Sequence, residues 1–140
     1  MQNVVTYGRC MKYTLSGNPI PLARARFSFG KVYNSQSVVM ERCKYELLKQ
    51  HNKQPLLEGA LHLEITFYMK MANSWSLAKK ERMAGKPHKS TPDFSNMLKF
   101  VEDCCNETII KDDCLIYSVT GTKIYSWYPK TEFTFTEIQI

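Results

Sequence analysis

"ALHLEITFYMK", residues 60–70, alternates Leu61, Leu63, Ile65, Phe67 and Met69 with His62, Glu64, Thr66, Tyr68 and Lys70. A period of two sustained over this length predicts a β-strand with one face in a core and the other polar. Such a strand needs partners. Lys12 to Ser16 predicts a short one, closed by the Gly17-Asn18-Pro19 turn, and Phe27 to Tyr33 a second extended piece. Two more close the chain, from Leu115 to about Tyr125 and from Glu132 to Ile140, joined through Tyr128-Pro129-Lys130. Helical spacing intervenes three times. A helix capped by Asn34 or Ser35 runs to about His51 with a core stripe of Val39, Met40, Cys43 and Leu47. A short basic helix covers Ser76 to Ala84. A third helix opens at Pro92-Asp93 and places Phe94, Met97, Leu98, Val101, Cys104 and Cys105 on one side. Strands and helices mix without a regular βαβ alternation, so the expected fold is a single α+β domain with a mixed sheet and helices packed on one side.

The chain has 140 residues, 44% hydrophobic and 23% charged, a globular composition with one compact domain as the default. No apolar run approaches the roughly 20 residues that span a bilayer, and the first ten residues lack a signal-peptide core, so a cytoplasmic location is expected. Five cysteines, Cys10, Cys43, Cys104, Cys105 and Cys114, show no zinc-ligand spacing and read as reduced structural thiols. The net charge of +6 is unevenly spread. Residues 1–40 hold Arg9, Lys12, Arg24, Arg26 and Lys31 and no acid. Residues 70–89 hold Lys70, Lys79, Lys80, Arg82, Lys86 and Lys89 against Glu81 alone. A basic surface around an acidic cluster suits the cleavage of a polyanion, and an inert solvated face has the same composition.

The acids gather between Asp93 and Asp113. An aspartate after proline at a helix start is an ordinary N-cap, and the adjacent Asp112 and Asp113 ahead of a strand are an ordinary turn. Taken together, an acid at a helix start and another entering a strand can converge where that strand packs beside the helix. Mg²⁺ takes hard oxygen ligands and keeps several waters, so two or three such carboxylates suffice. Adjacent residues in a strand point to opposite faces, so only one of Asp112 and Asp113 is expected at a cation. Lys99 is either a surface lysine or a charge for a phosphate in its transition state. His51 and His62 are expected at the surface, and His88, close to the acids, to touch a phosphate at most.

"WSLAKKERMAGKPHKSTPDFSNMLKFVEDCCNETIIKDD", residues 75–113, resembles the signature region of the RusA family of Holliday junction resolvases: a basic stretch, a P-D-x-D-N-x-x-K helix start, an Asp further along and D-D before a strand. "NPIPLARARFSFGKVYNSQ", residues 18–36, is similar to that family's Pro- and Arg-rich N-terminal segment. The resemblance runs from about Lys12 onward. It implies a homodimeric, Mg²⁺-dependent endonuclease, with Mn²⁺ as a substitute, that nicks branched DNA such as four-way junctions in recombination and repair and is often phage- or prophage-borne.

Carried over by position, the resemblance implies that Asp93 and Asp113 are catalytic aspartates and metal ligands, Lys99 the essential lysine and Asn96 the motif asparagine. Asp112 and Asp103 match acids of less certain role. Arg24, Arg26, Lys79, Lys80, Lys86, His88, Lys89 and Lys123 are the expected DNA contacts. One position departs: the family's second aspartate is Ser95 here, a neutral hydroxyl at a metal position. Asp103 lies ten helical residues, about 15 Å, beyond Asp93 and does not replace it. Glu64, on the polar face of its strand, is the candidate replacement, and a homologue that binds junctions without cutting them is the alternative reading.

Overall fold

The computed structural model describes residues 6–23, 26–28, 31–33 and 36–139, with side chains for 7–23 and 36–139. The strands are β1 (Thr6–Ser16), β2 (Arg26–Ser28), β3 (Lys31–Tyr33), β4 (Ala60–Lys70), β5 (Ile116–Ser126) and β6 (Lys130–Gln139). The helices are α1 (Ser37–His51), α2 (Leu77–Met83) and α3 (Phe94–Cys105). Four strands form a sheet in the order β1-β6-β4-β5. β6 runs antiparallel to both β1 and β4, and β5 runs parallel to β4. The mixed α+β architecture therefore matches expectation.

Alternation along β4 sets the layers. Leu61, Leu63, Ile65 and Phe67 are buried beside Tyr13, Leu15, Phe133 and Phe135 of β1 and β6, in one cluster with Cys43 and Leu47 of α1 and Met97, Phe100, Val101, Cys104 and Cys105 of α3. Both long helices thus cover the same face, while α2 buries none of its residues. Every cysteine is a free thiol. No helix among the described residues is long and apolar enough to cross a membrane.

Four local expectations are corrected. The first strand begins at Thr6 instead of Lys12, because β6 continues to pair with it as far as Gln139. The piece expected as one strand from Phe27 to Tyr33 is the antiparallel pair β2 and β3. Asn34 and Ser35 lie outside the described residues. The cap position of α1 is Gln36, whose amide is spent on the Pro21–Ala23 segment instead, accepting from Ala23 N–H and donating to Pro21 C=O, each at 2.7 Å. His51 is 2% exposed: its Nδ1 lies 2.6 Å from the Tyr13 hydroxyl and its Nε2 3.1 Å from Pro55 C=O. With Nε2 donating to that carbonyl, Nδ1 accepts from Tyr13, so a neutral imidazole satisfies both partners. His62 is half-buried, with Nδ1 2.9 Å from Ser118 Oγ on the polar face.

One close approach seats α3. A Cβ built on Gly121 of β5 would stand 2.3 Å from Phe94 Cζ and 2.9 Å from Ile65 Cγ2, so the first residue of α3 rests on bare backbone. The same ring meets Phe67 edge to face, with centroids 5.2 Å apart. Replacing Gly121 with Ala overpacks this contact and is expected to cost about 1–3 kcal/mol, read as a lower urea midpoint. Phe94→Leu in that background should recover part of the loss, since the ring is the obstacle. An unchanged midpoint for Gly121→Ala would contradict the packing account.

Candidate active site

α3 starts at Phe94, just past a bend at residues 90–92. Asp93, in β conformation (φ −66°, ψ 142°), occupies the N-cap position, yet its carboxylate makes no capping hydrogen bond. None of the ion pairs among the described residues involves Asp93, Asp103, Asp113 or Lys99. Asp93 is thus an exposed anion at the positive end of a helix, uncommitted to the cap that the sequence predicted for it.

The segment leading to Asp93 is fastened from β5. The chain at residues 85–88 pairs along the outer edge of that strand, through Gly85 N–H to Tyr125 C=O, Tyr125 N–H to Lys86 C=O and His88 N–H to Lys123 C=O. Lys123 then donates its ammonium to Ser90 C=O at 2.6 Å and Pro92 C=O at 2.9 Å. Lys123, expected as a DNA contact, thus forms a strut one residue behind Asp93. Leu22 N–H bonds Asn96 C=O at 3.0 Å, so the Pro-rich segment of residues 19–23 docks on the first turn of α3. The basic run that follows starts from there. Arg24 lies outside the described residues, as does the side chain of Arg26.

The paired acids do not enter a strand directly. Asp113–Leu115 form a 3-10 turn, and Asp112 caps it by accepting from Cys114 N–H at 3.0 Å. That hydrogen bond holds the Asp112 carboxyl below its ordinary range. The expected alternation between strand faces is therefore replaced by a capping role for Asp112, which leaves Asp113 as the half-buried, uncapped member of the pair.

The 3-10 turn packs on α3. There the structure adds a residue that sequence reasoning missed. Glu102 is half-buried, and desolvation raises its carboxyl above the ordinary range; Lys99 opposes the rise, while Asp113 and Asp103 add to it. Ser95, Lys99 and Glu102 stand at i, i+4 and i+7 on α3, one helical stripe. This spacing was the signal available in the sequence, obscured because Glu102 belongs to no motif. Ser95 and Asn96 are exposed beside Asp93, and Asp103 is half-buried next to Glu102.

Other expected residues fall elsewhere. Glu64 is on the opposite face of the sheet, lining an open depression with Lys12, Thr66, Tyr68, Glu132 and Thr134. Its strand neighbours Leu63 and Ile65 point into the core under α3, so Glu64 points away and does not take the place of the missing aspartate. His88 packs against Tyr125 in a tilted arrangement, with ring centroids 4.7 Å apart, and its Nδ1 is buried without a hydrogen bond. Burial and then the Lys123 charge hold its imidazole below the usual histidine range, favouring the neutral form. Lys79 lies 4.3 Å above the Trp75 ring. Lys86 and Lys89 are exposed and Lys80 partly so.

The two acids of the pair should separate on mutation. Asp112→Ala removes the turn's cap and is expected to lower the melting temperature, whereas Asp113→Asn leaves it close to the parent value. A carboxyl lowered in the folded state contributes above its unfolded pKa and loses that contribution as pH falls through the folded value, so the two melting curves should converge in acid. Equal melting temperatures at pH 7 would refute the division of roles.

The model of the RusA family, endodeoxyribonuclease RusA, matches residues 16–136. The chain is also similar to the uncharacterised protein YqaN of Bacillus subtilis (strain 168), 28% identical over 138 residues that cover 92% of this chain and 97% of that protein. With its motif helix, its 3-10 turn and nearly its whole length inside the match, the chain belongs to the RusA endodeoxyribonuclease family.

Proposed function

We propose that this protein is a structure-selective endonuclease that hydrolyses a phosphodiester in four-way or other branched DNA, with Mg²⁺, or Mn²⁺ in its place, held by Asp93 and Asp113. One observation carries the reading: in a chain of an endodeoxyribonuclease family, the aspartate at the head of the motif helix leaves its capping role unfilled and its carboxylate exposed. A hard cation of this kind takes oxygen ligands, retains waters and needs only one or two carboxylates beside a substrate phosphate. The uncapped carboxylate of Asp93 and that of Asp113, which interacts with Asp112, supply oxygens of that donor set, although no group of three or more His, Cys, Asp or Glu is assembled among the described residues. When bound, the cation supplies charge neutralisation at the phosphate and an activated water.

The chain's own residues do the rest. Lys99 offsets negative charge growing on the phosphate. Ser95 offers a neutral oxygen and Asn96 an amide at the same helix start. Lys80, Lys86 and Lys89, with Arg24 and Arg26, grip the arms through phosphates, which fixes orientation and not sequence. A homodimer presents two such sites to the two related strands of a junction. The second reading, binding without cleavage, is favoured by Ser95, a neutral oxygen where the family motif has a carboxylate.

A nicking assay on a synthetic four-way junction, run beside a gel shift, tests both. Cleavage should require the divalent cation, and Asp93→Asn and Asp113→Asn should each lower it more than 100-fold while leaving the shift intact. Lys99→Ala should lower it roughly 100-fold. Ser95→Asp should raise cleavage at limiting Mg²⁺, or create it where the parent only binds. A folded protein that neither shifts nor cuts junctions, with or without the restored aspartate, would defeat both readings.

A further inference from the structure

The turn between β5 and β6 exposes two aromatic rings that the active site does not use. Trp127 is 45% exposed and Tyr128 79%. The turn holding them is braced from within: Tyr128 N–H donates to Ser126 Oγ at 3.1 Å, and that hydroxyl donates back to Tyr128 C=O at 3.3 Å. Beside the turn lies an open groove of about 180 Å³ lined by Lys70, Met71, Asn73, Lys80, Trp127 and Pro129. It sits at the ends of two parallel strands, where Lys70 of β4 pairs with Ser126 of β5. Its charged lining is wholly cationic, and neither lysine makes an ion pair among the described residues.

We infer that this groove is a binding site for unpaired nucleic-acid bases, with Trp127 of its lining and Tyr128, exposed on the adjoining turn, as stacking surfaces and Lys70 and Lys80 holding the flanking phosphates. The inference deepens the proposed function and rests on it, since it assigns the exposed strand of a branched substrate to a surface distinct from Asp93 and Asp113. A base offers a flat π-face to an indole or phenol only when it is unstacked, so aromatic rings beside lysines select single strands over duplex. A purely basic face would grip both alike. The braced turn lowers the ordering cost of presenting the rings. Gly121, which seats α3, is five residues from Ser126, about 17 Å along an extended strand. The groove therefore stands apart from the acids but on the same element.

The test measures anisotropy of a labelled oligothymidylate and of a hairpin duplex of equal charge, without divalent cation, against the parent, Trp127→Ala, Tyr128→Ala and Trp127→Phe proteins. The oligothymidylate should bind the parent at least fivefold more tightly than the duplex. Trp127→Ala and Tyr128→Ala should each remove most of that preference, and Trp127→Phe should retain it. A Trp75→Phe protein, whose one remaining indole is Trp127, should show saturable quenching by the same oligomer. Equal affinity for both DNAs, or an undiminished preference in Trp127→Ala, would overturn the inference. So would a change confined to self-association, since the rings would then serve a second copy of the chain. Junction nicking by the same preparations separates the two failures: cutting without a single-strand preference defeats the stacking site alone, whereas no binding to any DNA defeats the proposed function with it.

Discussion

The contact between the Phe94 ring and the bare backbone of Gly121 decides where the acids of this protein stand. α3 approaches β5 more closely than a side chain at residue 121 would permit, and the residue before Phe94 is Asp93. Lys123, two residues further along the same strand, holds the carbonyls of Ser90 and Pro92. Strand and helix start are thereby tied through one side of β5, and the carboxylate stands at the mouth of α3, just outside its first turn. Rigid elements supported by a second layer of hydrogen bonds hold a site more tightly than loops do. The cation on Lys123 is committed to this internal task.

Much of this architecture was legible in residue order. The strict alternation of Leu61 to Met69 and the helical spacing of Phe94 to Cys105 have one physical reading each, and β4 and α3 are found where those periods put them. What was not legible depends on partners distant in sequence. His51 reads as a surface residue at a helix end until Tyr13, 38 residues earlier, is found against it. Lys123 reads as one more basic residue because composition records charge and not direction. Asp112 and Asp113 look equivalent until a 3-10 turn takes one as its cap and leaves the other. Glu64 had the right chemistry on the wrong face, an error that alternation alone could have exposed once α3 was known to cover the odd-numbered side.

The acidic side of α3 sets two demands against each other. Glu102 is already raised by burial, with Asp103 and Asp113 adding to the effect and Lys99 only partly opposing it. Like charges gathered at the edge of a low-dielectric core repel one another, and the repulsion grows with each carboxylate that water cannot screen. A second motif aspartate at position 95 would stand on the same stripe as Lys99 and Glu102 and add to it. On the proposed cation site, serine there eases the cluster when no cation is present and weakens the donor set when one is. Fold stability and cation affinity thus pull in opposite directions at a single exposed position, whose neighbours on the helix are fixed by packing. Phe94 and Met97 cannot yield to relieve the charge, since one rests on Gly121 and the other is wholly buried. The balance is therefore left to the side chain at position 95 and, on the proposed function, to the cation held by Asp93 and Asp113.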